Sequence, residues 1–228
     1  MGRLARVAGD VGAAEWVVAG VGAFGSGVGG LVPHGFEAYA RVLHSASAVG
    51  GAAVTWAEVA EWSGGVVHPR VQFGALADRR WRGKGSRVPA DRPWDEGPEV
   101  GTLPAPQLAA LGEVLARHTE AGERCWFCVW DGYGADGPLV ELPNRSYVLM
   151  EGPLGAAGEL ARSLLPQSPN LFWPDDRAWC VATEIDLDST YLGGTAALIA
   201  DVLADERLEA VRVEVTDLVW ADSDDVNR

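Results

Sequence analysis

The segment from Ser168 to Gly194 constrains the fold most, because an apolar stretch in it runs directly into a row of acidic residues. Residues 178–187 have the composition of a long central strand. Acidic side chains occupy alternate positions at its end, namely Glu184, Asp186 and Asp188. Successive side chains of a strand point to opposite faces of its sheet. The pattern therefore predicts that all of these carboxylates lie on one face.

This row of carboxylates has two interpretations. Carboxylate oxygens are the ligands that Mg²⁺, Mn²⁺ and Ca²⁺ prefer, and Asp186-Leu-Asp188 resembles the Asp-x-Asp element with which some glycosyltransferases hold a metal and a nucleotide sugar. Alternatively, the row faces solvent on an antiparallel sheet, with Arg177 or a residue of a basic loop as its counterion. We favour the solvent-facing interpretation. A buried row would instead favour a bound metal or a raised carboxyl pKa.

The order of predicted elements favours an α+β fold. Helical patterns cover residues 13–23, 56–62, 106–118, 156–165 and 195–204, and a capping box of Thr55 and Glu58 precedes the second of them. Strand patterns cover residues 36–43, 70–76, 125–130, 146–150, 178–187 and 211–219. Because these elements do not alternate regularly, we expect a single domain over residues 1–228 with a mixed, largely antiparallel sheet and flanking helices. We expect a Gly- and Ala-rich segment at 1–31 and an irregular basic loop at 77–105.

Composition and charge narrow the range of functions. The chain has 228 residues and a formal net charge of −14, which opposes binding to a nucleic-acid backbone. The apolar stretch 16–32 contains six glycines and is shorter than the roughly 20 apolar residues of a membrane-spanning helix. Three cysteines without a secretory signal pattern indicate a cytoplasmic protein without disulfides. We expect neither nucleic acid nor a membrane as partner.

Two short motifs fit a structural role better than a chemical one. Gly20, Gly22 and Gly25 match the dinucleotide-binding fingerprint, but further glycines follow them where that fingerprint requires a helix. Cys125 and Cys128 have the spacing of a zinc site, yet residues i and i+3 of a strand point to opposite faces. We therefore predict no cofactor, except for a divalent cation (Mg²⁺, Mn²⁺ or Ca²⁺) if the carboxylate row holds one.

Five segments carry a resemblance to a known family, namely VPHGFEAYARVLH, GTLPAPQLAALGEVLARHT, CWFCVWDGYG, LPNRSYVLMEGPL and SPNLFWPDDRAWCVATEIDLDSTYLGG. Together they resemble the recurrent blocks of an uncharacterised actinobacterial protein family. The resemblance covers most of the chain from Val32 onward and implies one conserved architecture in a bacterial cytosol. A single lysine among eighteen basic residues is typical of a GC-rich genome and agrees with that source. The resemblance implies no activity and no site residue.

Tryptophan, with ten residues in the chain, marks a candidate pocket. Indole rings are common both in protein cores and in binding clefts. The stretch around Trp173 adds polar neighbours to such a ring, and the turn after residue 130 adds two more. We predict a polar and aromatic ligand-binding pocket formed by Asp131, Tyr133, Asn170, Trp173, Asp175, Asp176 and Arg177.

Two functions from different classes follow. We favour a non-enzymatic binding or protein-interaction module whose aromatic and acidic surface recognises a protein partner or a small molecule, because no nucleophile, base or phosphate loop occurs at a diagnostic spacing. The alternative is a divalent-metal-dependent enzyme acting on a nucleotide, sugar or phosphate compound. It would use Glu184, Asp186 and Asp188 as metal ligands and Asp131 or a histidine as base. The first predicts a shallow exposed patch, and the second a concave site in which the carboxylates converge.

Overall fold

A computed structural model describes residues 3–80, 89–132, 136–143, 145–162 and 167–228 of the chain. They form an α+β fold around one large antiparallel sheet, as the element order predicts. The helices are α1 (Glu15–Gly20), α2 (Trp56–Ser63), α3 (Phe73–Asp78), α4 (Ala105–Ala116) and α5 (Ala196–Ala204), with 3-10 helices at Gly12–Ala14, Val28–Gly30 and Leu154–Arg162. Within the described residues, no helix combines the length and the apolar character needed to cross a membrane.

The strands pair without any parallel ladder in the part of the chain that the structure describes. They are β1 (Ala5–Arg6), β2 (Ala38–Leu43), β3 (Ala46–Ser47), β4 (Ala53–Val54), β5 (Cys125–Trp130), β6 (Val140–Leu142), β7 (Arg145–Gly152), β8 (Leu171–Pro174), β9 (Cys180–Ala182), β10 (Ser189–Gly194) and β11 (Ala210–Val213). The large sheet has the order β1-β7-β5-β8-β9-β10-β2-β11, with β6 also paired to β7. Strands β3 and β4 form a separate hairpin.

Each face of the sheet carries its own hydrophobic core. Helices α4, α5 and the Leu154–Arg162 helix cover one face, and α1 with the Val28–Gly30 turn covers the other. Cys125 belongs to the first core and Cys128 to the second, as expected for residues i and i+3 of one strand. Because β2 lies inside the sheet and is covered on both sides, all six of its residues are buried.

The predicted strand over residues 178–187 is wrong, since two strands and a turn occupy this part of the chain. Strand β9 ends at Ala182, and β10 begins at Ser189. Between them, a hydrogen bond from the Leu187 amide to the Glu184 carbonyl (3.1 Å) closes a turn. Acidic side chains are disfavoured in strands and common in turns, which agrees with this outcome. The row Glu184, Asp186 and Asp188 therefore lies in a hairpin turn and not along one face of a strand.

Three other predicted elements also differ from the structure. Helix α3 replaces the strand predicted over residues 70–76 and buries Phe73 and Leu76. Strand β11 stops at Val213 because the Asp217 carboxylate accepts a hydrogen bond from the Glu214 amide (2.8 Å) and closes a turn. Residues 171–174, for which the sequence predicts no strand, form the buried strand β8. The basic loop over 77–105 lies partly outside the described residues.

A third hydrophobic cluster forms a lobe beside the sheet from the β3–β4 hairpin, α2, α3 and Trp94. Helix α2 begins with the predicted capping box, in which Thr55 Oγ1 accepts a hydrogen bond from the Glu58 amide (3.1 Å). The end of the chain closes the lobe, because Asn227 accepts a hydrogen bond from the Val66 amide (2.9 Å) and donates one to the Val66 carbonyl (3.0 Å).

Candidate functional site

A narrow cleft opens on the sheet face that α1 covers, at the end where β6, β7, β8 and β9 meet the 24–31 segment. Its volume is about 30 Å³. Two residues singled out from the sequence, Asn170 and Glu184, contribute to it. The cleft is lined by Phe24, Gly30, Leu31, Leu142, Pro143, Arg145, Tyr147, Asn170, Leu171, Ala182 and Glu184.

Arg145 joins two of the carboxylates of the hairpin turn. Its guanidinium donates to Glu184 Oε1 from Nη2 (3.0 Å) and Nε (3.2 Å), and Nη2 also reaches Asp186 Oδ2 (2.6 Å). Only 5% of the Glu184 side chain is exposed, against 65% for Asp186. Burial raises the pKa of the Glu184 carboxyl, and the charge of Arg145 partly offsets that shift. The two carboxylates therefore share one half-buried positive charge.

Aromatic side chains lie at the mouth of the cleft. The Phe24 ring contacts the Trp220 ring with centroids 5.2 Å apart, and the guanidinium carbon of Arg145 lies 5.7 Å from the Phe24 centroid. Phe24 is 38% exposed and Leu218 is 47% exposed. The segment that carries Leu218 and Trp220 is held against the 25–28 turn, because the Val28 amide donates to the Asp217 carbonyl (3.0 Å). We call Phe24, Leu218 and Trp220 the Phe24 surface.

Asn170 has a structural role in the cleft wall. Its Oδ1 accepts a hydrogen bond from the Trp130 amide (2.8 Å), and its Nδ2 donates to the Thr183 carbonyl (3.1 Å). The side chain is 2% exposed. Asn170 therefore fixes the start of β8 against β5 and β9, and both polar atoms of its amide are engaged within the fold.

Four residues of the predicted pocket do not join Asn170 in the cleft, namely Trp173, Asp175, Asp176 and Arg177. Trp173 is 1% exposed and belongs to the core. The three residues after β8 lie at the end of that strand away from Asn170. Asp175 accepts a hydrogen bond from Trp126 Nε1 (2.9 Å), and Asp176 accepts one from the Thr119 hydroxyl (2.7 Å).

Arg177 and Asp131 also make contacts of their own. The guanidinium of Arg177 lies over the Trp16 ring. The Asp131 amide donates to the Ser146 carbonyl (2.9 Å). Tyr133 lies outside the described residues.

The third carboxylate of the turn faces a different arginine. Asp188 lies 3.6 Å from Arg41 Nη2, and the Arg41 side chain is 1% exposed. The same guanidinium donates to Ser189 Oγ (2.9 Å) and to the Val71 carbonyl (2.6 Å). Burial raises the pKa of the Asp188 carboxyl, and Arg41 opposes the shift. Asp188 and Arg41 therefore connect the hairpin turn to the lobe.

A chain of hydrogen bonds runs from the same hairpin to His44, which is fully buried. Because the Glu99 carbonyl can only accept, His44 Nδ1 donates to it (2.7 Å) and Nε2 accepts from the Thr190 hydroxyl (2.9 Å). Thr190 in turn accepts from Thr183 (2.7 Å). Burial lowers the pKa of His44, the hydrogen bond to Glu99 opposes the shift and the charge of Arg41 adds to it, so that the pKa is about 4. The imidazole is thus neutral near pH 7.

Two other histidines make contacts that hold the fold together. His68 Nδ1 accepts from the Arg70 amide (3.3 Å), so Nε2 donates to the buried Asp224 carboxylate (3.0 Å). Burial alone would raise the pKa of Asp224, but hydrogen bonds led by those from Asn227 outweigh it and hold that pKa at about 2. His118 Nε2 lies 2.8 Å from Asp201 on the surface. These rings support the lobe and the α4–α5 contact, respectively.

The arginines around the turn determine what its carboxylates can bind. Each carboxylate has a guanidinium within 3.6 Å, where a bound cation would otherwise lie. Among the described residues, no three His, Cys, Asp or Glu side chains are grouped so that they could hold a metal ion. The arrangement in the cleft is suited to charge pairing and hydrogen bonding through Arg145, Glu184 and Asp186.

Sequence reasoning missed Arg145, Arg41 and Phe24. Arg145 opens a strand pattern at residues 146–150, but nothing in the local sequence links it to a carboxylate 39 residues away. Phe24 lies in a glycine-rich segment that has the pattern of a linker. The one sequence feature that pointed to these arginines was the cluster of three acidic residues, because such a cluster needs counterions. Comparison of the chain with protein-family models, curated proteins and solved structures finds no match.

Proposed function

We propose that this protein is a non-enzymatic interaction module that binds a protein partner through the Phe24 surface. One observation carries the proposal: Phe24 is exposed while its ring contacts both Trp220 and the guanidinium of Arg145. Aromatic residues and arginine are enriched at protein interfaces and dominate their binding energy. Their convergence on an exposed ring is what a contact surface requires.

The size of the cleft favours a protein partner over a small molecule. Pockets for small ligands usually enclose about 300–1,000 Å³, whereas this cleft encloses about 30 Å³. A volume of that size accommodates one small group of a partner, with the remaining contact made on the surrounding surface. The Phe24 surface is then the main contact and the cleft a subsidiary one.

Charge favours a cationic segment of the partner. The chain has a formal net charge of −14, and Asp186, which is paired with Arg145 of the cleft, is 65% exposed. Glu141 on β6 is also exposed and lies beside Ser146, the residue after Arg145. Complementary charge accelerates association and orients the partner. We therefore propose a partner segment that combines arginine or lysine with aliphatic side chains, encountered in the cytoplasm.

Fluorescence anisotropy tests this with a labelled 12-residue peptide of alternating Arg and Leu, and a matched peptide in which Glu replaces Arg. We expect Phe24→Ser to weaken binding of the Arg peptide about tenfold, the effect of losing an interface anchor worth about 1.4 kcal/mol. Val49→Ser is the control, because Val49 is 85% exposed but lies in the β3–β4 turn. Equal binding by both variants, or equal binding of the Glu peptide, would refute the proposal.

The burial of Glu184 favours a second candidate, the divalent-metal-dependent enzyme with Glu184, Asp186 and Asp188 as ligands. A buried carboxyl with a raised pKa is common at catalytic sites. A thermal-shift titration with Mg²⁺, Mn²⁺ and Ca²⁺ separates the candidates, because a ligand that binds only the folded state raises the Tm. We expect no saturable rise. A rise that Asp186→Ala abolishes would establish the metal site instead.

A further inference from the structure

Arg177 has an unusual backbone conformation. Among the described residues it is the one non-glycine residue with a positive φ, at 56°. L-residues with a side chain are strained in this left-handed region, and glycine is the residue that adopts it freely. Such strain persists only where the surrounding contacts stabilise it, and it is frequent at functional sites. The contacts of the Arg177 side chain should therefore show what stabilises this backbone conformation.

The side chain of Arg177 lies on an aromatic ring and is not paired with an acid. Its guanidinium carbon is 5.5 Å from the centroid of Trp16. Among the described residues, no carboxylate lies within ion-pair distance of it, although Asp175 and Asp176 precede it in the chain. Those two are engaged elsewhere, by Trp126 and by Thr119. The exposed cation is thus held mainly by the indole face.

Trp16 contacts two aromatic rings that lie nearly perpendicular to it. We call Trp16, Phe36 and Trp173 the Trp16 corner. Phe36 meets Trp16 at 80° with centroids 6.3 Å apart, and Trp173 meets it at 83° and 6.0 Å. Within the described structure, the indole Nε1 of Trp16 is buried and makes no hydrogen bond. Its ring therefore contributes its π face and no polar contact to this site.

We propose that the Trp16 corner is a binding site for an organic cation. In the protein without ligand, the guanidinium of Arg177 occupies this site. The Trp16 face under the Arg177 guanidinium is the part of the site that attracts a weakly hydrated cation, as aromatic faces attract quaternary ammonium groups. The formal net charge of −14 favours cations over anions at the surface. The ligand class is an alkylated ammonium or a guanidinium, which binds when the 174–178 turn releases Arg177. This site is separate from the Phe24 surface.

Arg177→Gly makes the site testable, because glycine relieves the strained φ and uncovers the Trp16 face. The probe is tetramethylammonium chloride, with sodium chloride at matched ionic strength and tert-butanol as a neutral molecule of similar shape. The readout is the indole N–H signal of Trp16 in ¹⁵N–¹H correlation spectra, assigned with Trp16→Phe. The remaining indole signals report whether the variant keeps the native fold.

We expect a saturable shift of the Trp16 signal in Arg177→Gly, and at least tenfold weaker binding of tetramethylammonium to the wild-type protein. Tert-butanol should cause no saturable shift. The inference is overturned if the variant shows no saturable shift, if wild type and variant bind equally, or if tert-butanol binds as well as the cation. Phe24→Ser should leave the titration unchanged, so failure at the Phe24 surface and failure here are distinguishable.

Discussion

The guanidinium of Arg41 lies 3.6 Å from the Asp188 carboxylate, at the point where the sheet meets the lobe. The arginine also stacks against Trp56 and Tyr191, with distances of 5.3 and 5.7 Å to the ring centroids. A buried charge is costly unless it is paired and hydrogen-bonded. Here one side chain holds the hairpin turn, strand β2 and the lobe together.

Arg41→Met should therefore lower stability strongly. The substitution leaves Asp188 without its partner and removes the donors to Ser189 and Val71. Breaking a buried pair by removing one partner typically costs about 3–5 kcal/mol. Urea denaturation followed by circular dichroism measures the loss.

Arg117→Met is the matched control for Arg41→Met, because Arg117 pairs with Asp201 on the surface and is 55% exposed. An exposed pair contributes about 0–1 kcal/mol. If both variants lose the same small amount of stability, the buried contacts of Arg41 are not the junction that holds the lobe.

His44 should make the protein less stable at acid pH. Its pKa in the folded state is about 4, below the usual value of 6.5, so the unfolded chain binds more protons between these values. Stability is then fully present above pH 6.5, falls as the pH drops towards 4, and levels off below that. The lost contribution is about 3 kcal/mol, since one pKa unit corresponds to about 1.4 kcal/mol.

His44→Gln should flatten this dependence between pH 6.5 and 4, because Gln can donate to Glu99 and accept from Thr190 without titrating. His118→Gln, at an exposed contact with Asp201, controls for the loss of a histidine as such. The measurement is the urea midpoint of the wild-type protein and of both variants across the pH range. A wild-type slope that persists in His44→Gln would assign the acid sensitivity to other groups.

Gly101 is expected to tolerate no side chain. Its φ is 76°, and a Cβ there would lie 2.6 Å from the Ile185 carbonyl oxygen in the hairpin turn. Gly101→Ala should therefore destabilise the fold by about 2 kcal/mol or more, from the left-handed backbone and the clash together. Gly74→Ala is the control, since nothing lies within 4 Å of its Cβ position in helix α3. It should be neutral or stabilise by up to about 1 kcal/mol.

The three cysteines should be unreactive in the folded protein. All are free and buried, and burial raises the pKa of Cys125 to about 12 and those of Cys128 and Cys180 well above the usual value. The thiolate is the reactive form of cysteine, so reaction with Ellman's reagent at pH 8 should be negligible until a denaturant is added. Rapid release of one equivalent of thionitrobenzoate from the native protein would contradict this.

Local patterns in the sequence predicted the elements whose stabilising contacts are also local. The Thr55–Glu58 capping box spans three residues and appears as expected. Strand β5 has the predicted bounds, because a run of apolar and aromatic residues ends there at a turn. The α+β class followed from the irregular order of such elements.

The hairpin turn and the cleft could not be predicted from local sequence patterns, because they depend on contacts between residues far apart in the chain. Alternation at Glu184, Asp186 and Asp188 is compatible both with a strand and with a turn between two strands. The choice is made by distant groups, namely Arg145, Arg41 and the Gly101 amide, which donates to the Leu187 carbonyl (2.8 Å). Arg177 does not join Asn170 in one pocket for a related reason, since the two residues flank a buried strand and not a shared loop.

The two hydrogen bonds between Asn227 and the main chain of Val66 join residues 161 positions apart in the sequence. They resemble a pair of hydrogen bonds in a β-ladder, except that a side-chain amide replaces one of the two main chains. The lobe and residues 219–228 should consequently open as one cooperative unit, so that a local fluctuation of either exposes both. In hydrogen exchange, the Val66 and Asn227 amides would then share one opening free energy.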